Sequence, residues 1–501
     1  MRCRKVRHLH LVLLAAFAAV AVLYLLRPVM DPDFFWHLKT GEWIWEHRAL
    51  PEKDPFNHTN EGIDTPSSRF TLTSYWVSQI LMYLAHTRGG FTGIVLLRML
   101  LFAALLVTMR LRSNGEGVVN GALLLMFAVL FLENYAMERP QVLSFICFAA
   151  LLALLERTKG SSGGWASFLI PPLLLFWANA HGGAVLGQVT IVICLVTEGA
   201  KFLHRSLRPI PKEAYRRLLV AGGAGLAASL VNPNTLPLES IGSIFPGKPA
   251  IGHGVVSISE YRSMAELFAS NRDWTVIVIW TLMIVVAVAF AARPSQIDLT
   301  EAVLAAGSGY SAFRHIRYEA FFLIVALPVV ARFLSHKDRN RAVRALAAAG
   351  AVAVAVLLAA DERPDIRRLQ RGEWVGDAFP AAAAAFINSS GLRGNMYNFY
   401  DWGGYLIWRC APARKVFIDG RNLNPSIHWE SSVINIGFEG TGANNWRHLF
   451  DRHGVGYAVI PVMYQGQRLQ LFDRLHRDRD WVSAFGDGRV AVFARRSLLG
   501  R

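Results

Sequence analysis

Long apolar runs separated by short polar loops dominate residues 1–360 of the chain. A run of about 20 apolar residues crosses the hydrocarbon core of a bilayer as a helix, and shorter runs fit where helices are tilted or broken. The pattern therefore predicts a mainly α fold, a polytopic transmembrane bundle of about 11 helices. The eleven predicted spans are 9–29, 92–109, 118–135, 140–155, 168–179, 184–203, 218–231, 274–291, 300–313, 320–331 and 345–360.

Lysine and arginine are distributed unequally among the loops between these spans. The loops at 1–10, 110–117, 156–164, 201–217, 291–299 and 331–344 carry 20 of them, whereas the hinges at 134–140, 178–184 and 312–319 carry 3. Because Lys and Arg concentrate in short cytoplasmic loops, we assign the first set to the cytoplasm. An odd number of spans then places the N-terminus in the cytoplasm and everything after residue 360 outside.

This orientation predicts two domains. Residues 1–360 form the transmembrane domain, with large outer loops at 30–91 and 232–273, and residues 361–501 form an extracytoplasmic domain. In the first outer loop, the stretches 34–47 and 74–86 have the apolar stripe of helices that lie on a membrane surface. The C-terminal domain alternates helix-like with strand-like stretches, which predicts an α/β fold. The helix-like stretches are 380–388 and 445–453, and the strand-like ones are 415–418, 457–461 and 489–494.

Composition agrees with a membrane protein and excludes two other classes. Hydrophobic residues make up 53% of the chain and charged residues 18%. The net charge of +16 lies in short loops rather than on one face of a folded domain, so we expect no nucleic-acid partner. The four cysteines are too dispersed for a disulfide framework or a CxxC metal site. The first apolar run is longer than a signal-peptide core, and we expect an uncleaved helix.

Two carboxylates follow the first span directly. Asp31 and Asp33 lie one residue apart on a loop at the predicted outer surface. At that spacing they can share one hard divalent cation, or one can act as a general base. The alternative is a structural role, since Asp is favoured at the N-cap of a helix.

A basic hinge lies on the side where basic residues are scarce. Arg314, His315 and Arg317 fall between two predicted spans at the outer face. Two arginines there suit a phosphate or diphosphate, because each guanidinium can bind phosphate oxygens as a bidentate fork. The alternative is that they extend to lipid headgroups.

Other outer segments carry weaker signals. Glu260 in the second large loop can supply another carboxylate, and Glu138 and the segment 179–182 place polar groups at two further hinges; ordinary capping and solvation are the alternatives. Aromatics and glycines at 400–405 and 417–421 are typical of tight turns, and the same residue types stack on sugars or peptides.

These residues resemble the motifs of the glycosyltransferase-C superfamily, whose members take a sugar from a polyprenyl-phosphate or polyprenyl-diphosphate carrier. Their order is most similar to the catalytic subunit of oligosaccharyltransferase. Asp31-Pro32-Asp33 resembles its first-loop acidic motif, and Ser257-Ile258-Ser259-Glu260 its SVSE motif. The stretch FRHIRYEAFFLIVALPVV resembles its arginine-bearing helix, and Tyr400-Asp401-Trp402-Gly403-Gly404-Tyr405 its WWDYG motif. The protein-mannosyltransferase and aminoarabinose-transferase branches also carry an acidic first loop and remain open.

The resemblance implies a function and a set of site residues. It implies an inverting glycosyltransferase at the outer face of a bacterial cytoplasmic (inner) membrane. The partners would be a polyprenyl-linked sugar donor, membrane lipid and an acceptor protein, lipid or glycan. The implied catalytic residues are Asp31 and Asp33; the implied ligands of a divalent cation (Mg or Mn) are Asp31, Asp33, Glu260 and Glu138. The implied donor-phosphate residues are Arg314, His315 and Arg317, and the implied acceptor-binding residues are Tyr400, Asp401, Trp402 and Tyr405.

Two other classes of protein share some of these features. A transporter or flippase for a lipid-linked glycan would also place arginines at a membrane face. Transporters, however, usually hold their charges near the midplane and show repeated halves, whereas these charges cluster at one surface and no repeat is visible. A non-catalytic glycan-binding protein with the same fold is the third class, because fold and function are separable.

The charge count generates a prediction about topology. A reporter enzyme that is active only outside the cytoplasm should be active when fused after Arg501 and inactive when fused after Arg208, because the loop at 201–217 is the most basic of the set. Reporter activity in intact cells measures this directly. The reverse pattern would place the acidic first loop in the cytoplasm and contradict an outer active site.

Overall fold

A computed structural model describes residues 21, 24–112, 118–135, 137–160, 164–235, 262–292, 297–335, 349, 368–369, 371–440 and 444–499. The chain divides into two compact units. The helical unit comprises Met1–Pro28, Gly89–Pro246 and Ser257–Trp374, and the C-terminal unit comprises Val29–Arg88, Gly247–Val256 and Val375–Arg501.

The described helices and strands follow in chain order. The helices are α1 (Pro32–His47), α2 (Pro66–Thr73), α3 (Trp76–Arg112), α4 (Val118–Tyr135), α5 (Gln141–Lys159), α6 (Gly164–Ser167), α7 (Ile170–Ala180), α8 (Ala184–Ala200), α9 (Lys212–Ser229), α10 (Met264–Asn271), α11 (Trp274–Ala292), α12 (Leu299–Arg314), α13 (Glu319–Ser335), α14 (Ala381–Ser389), α15 (Gly403–Cys410), α16 (Pro425–Asn435), α17 (Trp446–Arg452) and α18 (Gln470–Arg477). The strands are β1 (Asn395–Asn398), β2 (Val455–Pro461), β3 (Met463–Tyr464), β4 (Gln467–Arg468), β5 (Trp481–Gly486) and β6 (Val490–Arg495).

Apolar helices form the helical unit, as the sequence predicts. Each predicted span between residues 92 and 331 falls on a helix, while the spans 9–29 and 345–360 lie largely outside the described residues. Among the described residues, four helical segments are long and apolar enough to cross a membrane. They are Pro66–Arg112, Gln141–Lys159, Ala184–Leu203 and Trp274–Ala292. The long helix α3 is kinked at Gly90, whose φ of 56° departs from helical geometry.

Helix α13 lies at the centre of the helical unit. Every residue from 318 to 331 is buried, and apart from Glu319 the helical residues up to 331 are apolar, so this part of the helix is enclosed on all sides. The ring of Phe321 packs edge-on against Phe148, with 5.2 Å between centroids, and contacts Phe145 at 5.0 Å. Because this helix is packed on all sides, it fixes the position of the turn Ile316–Tyr318 that precedes it.

A buried ionic cluster joins three helices at one end of the helical unit. The carboxylate of Glu198 on α8 accepts hydrogen bonds from Lys201 (2.8 Å), Lys159 (2.5 Å) and the hydroxyl of Thr300 (2.8 Å). Lys201 also donates to Asp298, the N-cap residue of α12, at 2.5 Å. Because buried charges are costly without partners, each of these groups depends on the others being present.

A four-stranded sheet organises the C-terminal unit. The strand order is β1-β2-β6-β5, with β1 parallel to β2 and the other two pairs antiparallel. The predicted strands 457–461 and 489–494 fall on β2 and β6, and the predicted helices 380–388 and 445–453 fall on α14 and α17. A two-stranded hairpin, β3 and β4, follows β2.

The predicted strand 415–418 is wrong. This stretch forms one isolated bridge, between Val416 and Asn57, and no strand. The side chain of Asn398 occupies its backbone groups instead: Oδ1 accepts from the N–H of Phe417 at 2.7 Å, and Nδ2 donates to the carbonyl of Ile418 at 2.8 Å. The amide of Asn398 therefore binds the backbone groups of Phe417 and Ile418 that a neighbouring strand would otherwise bind.

Helix α1 packs against α15 within the C-terminal unit. Glycines at the contact let the backbones approach, since a Cβ on Gly404 would overlap with the carbonyl oxygen of Pro32. The ring of Phe35 meets Tyr405 edge-on, with 5.0 Å between centroids. The apolar side of the predicted surface helix 34–47 is thus covered by protein. The stretch 74–86 falls on the segment of α3 that precedes the kink at Gly90.

Arg421 links residues 54–57 to the C-terminal residues. Its guanidinium is buried and donates to Asp419 at 2.7 Å, to both carboxylate oxygens of Asp54 at 2.9 and 3.2 Å, and to Asn57 at 2.7 Å. Asp54 in turn accepts from the side chain of Asn60 at 2.6 Å. One cation is therefore shared by two buried carboxylates that lie far apart in the sequence.

This cluster makes stability depend on pH. Burial raises the pKa of Asp419, but the charge and hydrogen bonds of Arg421 outweigh burial and hold that pKa below its ordinary value of 3.8. A carboxylate whose folded pKa is depressed stabilises the folded state above its unfolded pKa, and this contribution is lost as the pH falls further.

We therefore expect the thermal unfolding midpoint of the detergent-solubilised protein to fall as the pH is lowered below about 4. Asp419→Asn should lower the midpoint at neutral pH and lose part of the further acid dependence. Asp480→Asn, at an exposed position, is the control and should retain the parent profile. An unchanged acid dependence in Asp419→Asn would contradict the assignment.

Candidate active site

The first carboxylate of the acidic segment caps a helix. Asp31 is the N-cap residue of α1, and its Oδ1 accepts the backbone N–H of Asp33 at 2.9 Å. Pro32 follows in the first turn, where its missing N–H is not needed. Asp31 is buried, with 4% of its surface exposed. Asp31 thus has the helix-capping role that was the alternative to catalysis.

Asp33 occupies a different environment in the first turn of the same helix. It is half-buried, and its Oδ1 accepts the indole N–H of Trp36 at 3.1 Å. The same oxygen lies against Gly420, where a Cβ would overlap with it. A carboxylate in a first turn is stabilised by the positive end of the helix dipole. Of the two predicted catalytic carboxylates, Asp33 is the more accessible.

Tyr400 lies in the electrostatic field of Asp33. Burial, together with the negative charge of Asp33, raises the pKa of Tyr400, so the hydroxyl keeps its proton. Its oxygen accepts a hydrogen bond from Nδ2 of Asn422 at 2.9 Å, and Oδ1 of Asn422 lies 3.1 Å from Nδ1 of His428. The proton of Tyr400 is therefore available to donate to another group.

The rest of the predicted acceptor motif divides into exposed and buried residues. Trp402 is buried and donates its indole N–H to the carbonyl of Ala378 at 2.9 Å. Tyr405 is buried and stacks on Phe379 with 5.2 Å between centroids. Asp401 is exposed. Tyr400 and Asp401 are thus the members of the motif with surface available to a ligand.

The arginine hinge lies in the helical unit and is anchored through its backbone. Arg314 is the last residue of α12 and is exposed, and His315 is the C-cap. Arg317 follows in a 3₁₀ turn and is half-buried. The N–H of Ile316 donates to the carbonyl of Arg262 at 3.1 Å, and its carbonyl accepts the hydroxyl of Tyr135 at 2.8 Å. These two backbone hydrogen bonds fix the position of the turn that carries the arginines.

Sequence reasoning assigned no specific role to His181, which lies near this hinge. Its Nδ1 accepts the backbone N–H of Gly183 at 2.9 Å and lies 2.7 Å from the hydroxyl of Ser144. The indole of Trp177 donates to that hydroxyl at 2.7 Å, so Ser144 donates to the ring. Burial and the charge of Arg317 lower the pKa of His181 to about 3. The ring is neutral, with its proton on Nε2.

The described carboxylates do not assemble the predicted cation site. Glu138 forms a buried ion pair with Arg98, whose guanidinium also donates to the carbonyl of Arg27 at 2.6 Å. Glu260 lies outside the described residues. Within the ranges that the structure describes, no group of three or more His, Cys, Asp or Glu side chains could hold a metal ion. Asp31 and Asp33 alone do not fit a complete site for Mg²⁺ or Mn²⁺, which prefers more oxygen ligands.

Comparison with solved structures identifies proteins of similar fold. The archaeal oligosaccharyltransferase AglB from Archaeoglobus fulgidus, in complex with an inhibitory peptide and a dolichol-phosphate, matches with a TM-score of 0.56 at 11% identity, covering 90% of this chain and 69% of that one. ArnT from Cupriavidus metallidurans in the apo state matches with a TM-score of 0.53 at 14% identity, covering 98% of both chains. ArnT bound to undecaprenyl phosphate gives 0.51 at 14% identity, covering 98% of this chain and 99% of that one.

No protein-family model and no curated protein sequence matches the chain. The evidence for relationship is therefore structural, and identities of 11–14% speak to the fold alone. The matched structures include an oligosaccharyltransferase, AglB, which is the kind of protein that the sequence motifs resemble. At that level the comparison agrees with the resemblance of the motifs: this chain shares its fold with AglB and ArnT.

Proposed function

We propose that this protein is a membrane glycosyltransferase that moves a sugar or glycan from a polyprenyl-phosphate or polyprenyl-diphosphate donor to an extracytoplasmic acceptor. The observation that carries the proposal is the match, along 98% of the chain, to ArnT bound to undecaprenyl phosphate. The acidic segment beside α1 and the arginine hinge after α12 support it, because they supply the two kinds of charge that such a transfer needs. The 20-to-3 distribution of basic residues supports an orientation with the acidic loop outside a bacterial cytoplasmic membrane.

Asp33 is the proposed general base. The carboxylate of Asp31 is engaged in capping α1, whereas Asp33 is half-buried and in reach of a ligand. Asp33 would accept the proton of the acceptor nucleophile as the nucleophile attacks the anomeric carbon of the sugar, with inversion at that carbon. Because the described carboxylates do not form a cation site, this mechanism uses the charge of Asp33 directly.

Arg314 and Arg317 are the proposed donor-phosphate residues, with His315 between them. As the bond from the sugar to the carrier breaks, negative charge grows on the departing phosphate. Guanidinium groups that are already in place stabilise this charge without reorganising. The backbone anchoring of Ile316 to Tyr135 and Arg262 supports such a role, because it fixes the turn that carries Arg317.

Tyr400 and Asp401 are the proposed acceptor-binding residues of the 400–405 motif. The hydroxyl of Tyr400 retains its proton and is oriented by Asn422, so it can donate to an acceptor oxygen. Trp402 and Tyr405 are the buried members of the motif, and they contact Ala378 and Phe379. A protein, lipid or glycan acceptor is compatible with these groups.

The first test concerns Asp33. Asp33→Asn keeps size and hydrogen bonding but removes the charge, so lipid-linked donor should still bind while turnover falls by about 10²-fold or more. Asp64→Asn, at an exposed position of the same loop, should leave turnover unchanged. The measurement is release of carrier phosphate and glycan transfer in reconstituted vesicles, with donor binding measured separately.

Two outcomes of this experiment would change the assignment. Full glycan transfer by Asp33→Asn would remove the first-loop active site. If the unmodified protein bound the lipid-linked glycan but released no carrier phosphate, a transporter or a non-catalytic binding protein would replace the enzyme. Movement of the glycan lipid between leaflets would then separate those two.

The second test concerns Arg317. Arg317→Ala should weaken donor binding by about 10- to 100-fold and slow turnover as well, because hydrogen bonds to charged groups contribute about 1.5–3 kcal/mol. Arg317→Lys should restore part of the loss, since a point charge replaces a bidentate fork. Arg216→Ala, at an exposed position in the most basic loop, is the control. Parent-like donor binding in Arg317→Ala would exclude this hinge from the phosphate site.

A further inference from the structure

The segment 419–422 forms a fixed wall beside Asp33. It follows directly on the two residues whose backbone is held by the side-chain amide of Asn398. Its first and third residues, Asp419 and Arg421, belong to the buried ionic cluster with Asp54 and Asn57. Both side chains are about 1% exposed. A backbone anchored at both flanks by buried polar contacts has little freedom to move.

The cluster holds this wall through the hydrogen bonds of Arg421. The single positive charge of Arg421 is shared between the carboxylates of Asp54 and Asp419. Two negative charges therefore already oppose one positive charge within the cluster. Arg421 thus fixes the backbone of the segment through its hydrogen bonds to Asp419 and Asp54.

Gly420 occupies the middle of this wall and faces Asp33. A Cβ at position 420 would overlap with Oδ1 of Asp33, so the backbone and the carboxylate approach more closely than any other residue would permit. The φ angle of Gly420 lies outside the left-handed region, so its backbone conformation does not itself require glycine. The requirement comes from the space that Asp33 occupies.

The carboxylate of Asp33 is therefore confined from two sides. On its own helix, the indole of Trp36 donates to Oδ1 at 3.1 Å, and the backbone N–H of Asp33 is bound to Asp31. On the other side stands the backbone of Gly420. A base that is held in this manner meets its substrate in one geometry, and small misplacements of such groups reduce rates strongly.

We propose that Gly420 is a positioning residue: by lacking a side chain, it sets the place of the Asp33 carboxylate for proton transfer from the acceptor. Asp419, Arg421 and Asp54 hold Gly420 in that place. This role rests on the proposed function of Asp33 as a general base. It assigns a catalytic consequence to a residue that does not itself touch the substrate.

Gly420→Ala tests this role with the smallest possible change. The added methyl group must displace the carboxylate of Asp33, so we expect turnover to fall by about 10- to 100-fold with donor binding unchanged. Gly391→Ala is the matched control in the same unit, because a Cβ there meets no atom within 4 Å. The readouts are kcat and KM for the lipid-linked donor in reconstituted vesicles, together with a direct donor-binding assay.

A double-mutant cycle shows whether the effect passes through Asp33. In the Asp33→Asn background, Gly420→Ala should cause little further loss of turnover, since the base is already absent. Thermal unfolding supplies a readout that does not depend on activity. Because of the overlap with Asp33, Gly420→Ala should lower the thermal unfolding midpoint. The midpoint should recover in Gly420→Ala/Asp33→Ala, where the overlapping carboxylate is gone.

The outcomes separate this inference from the proposed function. If the parent transfers glycan and Gly420→Ala keeps full turnover, the positioning role is overturned while the enzyme assignment stands. An equal loss from Gly420→Ala in the parent and in Asp33→Asn also overturns it, because the effect then bypasses Asp33. If the parent itself transfers nothing, the proposed function fails, and the role of Gly420 fails with it.

Discussion

The buried guanidinium of Arg421 ties together parts of the C-terminal unit that lie far apart in the sequence. A cation removed from water must be matched by anions and hydrogen-bond acceptors, and removing one partner of such a set is strongly destabilising. Asp419 lies two residues away, but Asp54 lies 367 residues earlier in the chain. Residues 54–57 can therefore not separate from the C-terminal residues without exposing uncompensated charge. Helix α1 and its acidic N-terminus belong to the same folded unit for this reason.

Buried ion pairs in this protein have two different consequences. Arg98–Glu138 and the cluster around Glu198 consist of charges that satisfy one another inside an apolar helical unit. Such pairs define which helices meet, and they leave no charge for a ligand. Arg314, in contrast, is exposed at the end of α12, and Arg317 is half-buried in a turn that is held through its backbone. The donor-phosphate role proposed for these two arginines therefore differs from the structural role of the buried pairs.

The sequence predicts the helices well and the tertiary polar contacts poorly, for physical reasons. Apolar runs of membrane length report their own secondary structure, so each predicted span from 92 to 331 falls on a helix. The stretch 415–418 has the composition of a strand, but whether it pairs depends on its neighbours. The side chain of Asn398 binds backbone groups of Phe417 and Ile418, and no local sequence pattern indicates this contact. The partnership of Arg421 with Asp54 is equally invisible, because it depends on the completed fold.

The acidic segment shows how far residue type and spacing can determine a role. Asp31 and Asp33 are chemically identical and one residue apart, and the resemblance to the glycosyltransferase-C superfamily implies a catalytic role for both, with helix capping as the alternative. The onset of α1 distinguishes them, because the N-cap position turns the Asp31 carboxylate back onto the backbone of its own helix. Asp33 lies in the first turn, where its oxygen meets Trp36 and the bare backbone of Gly420. The second contact comes from the segment that Arg421 fixes. The same buried cation that joins the first loop to the C-terminal unit therefore also determines where the proposed base can be.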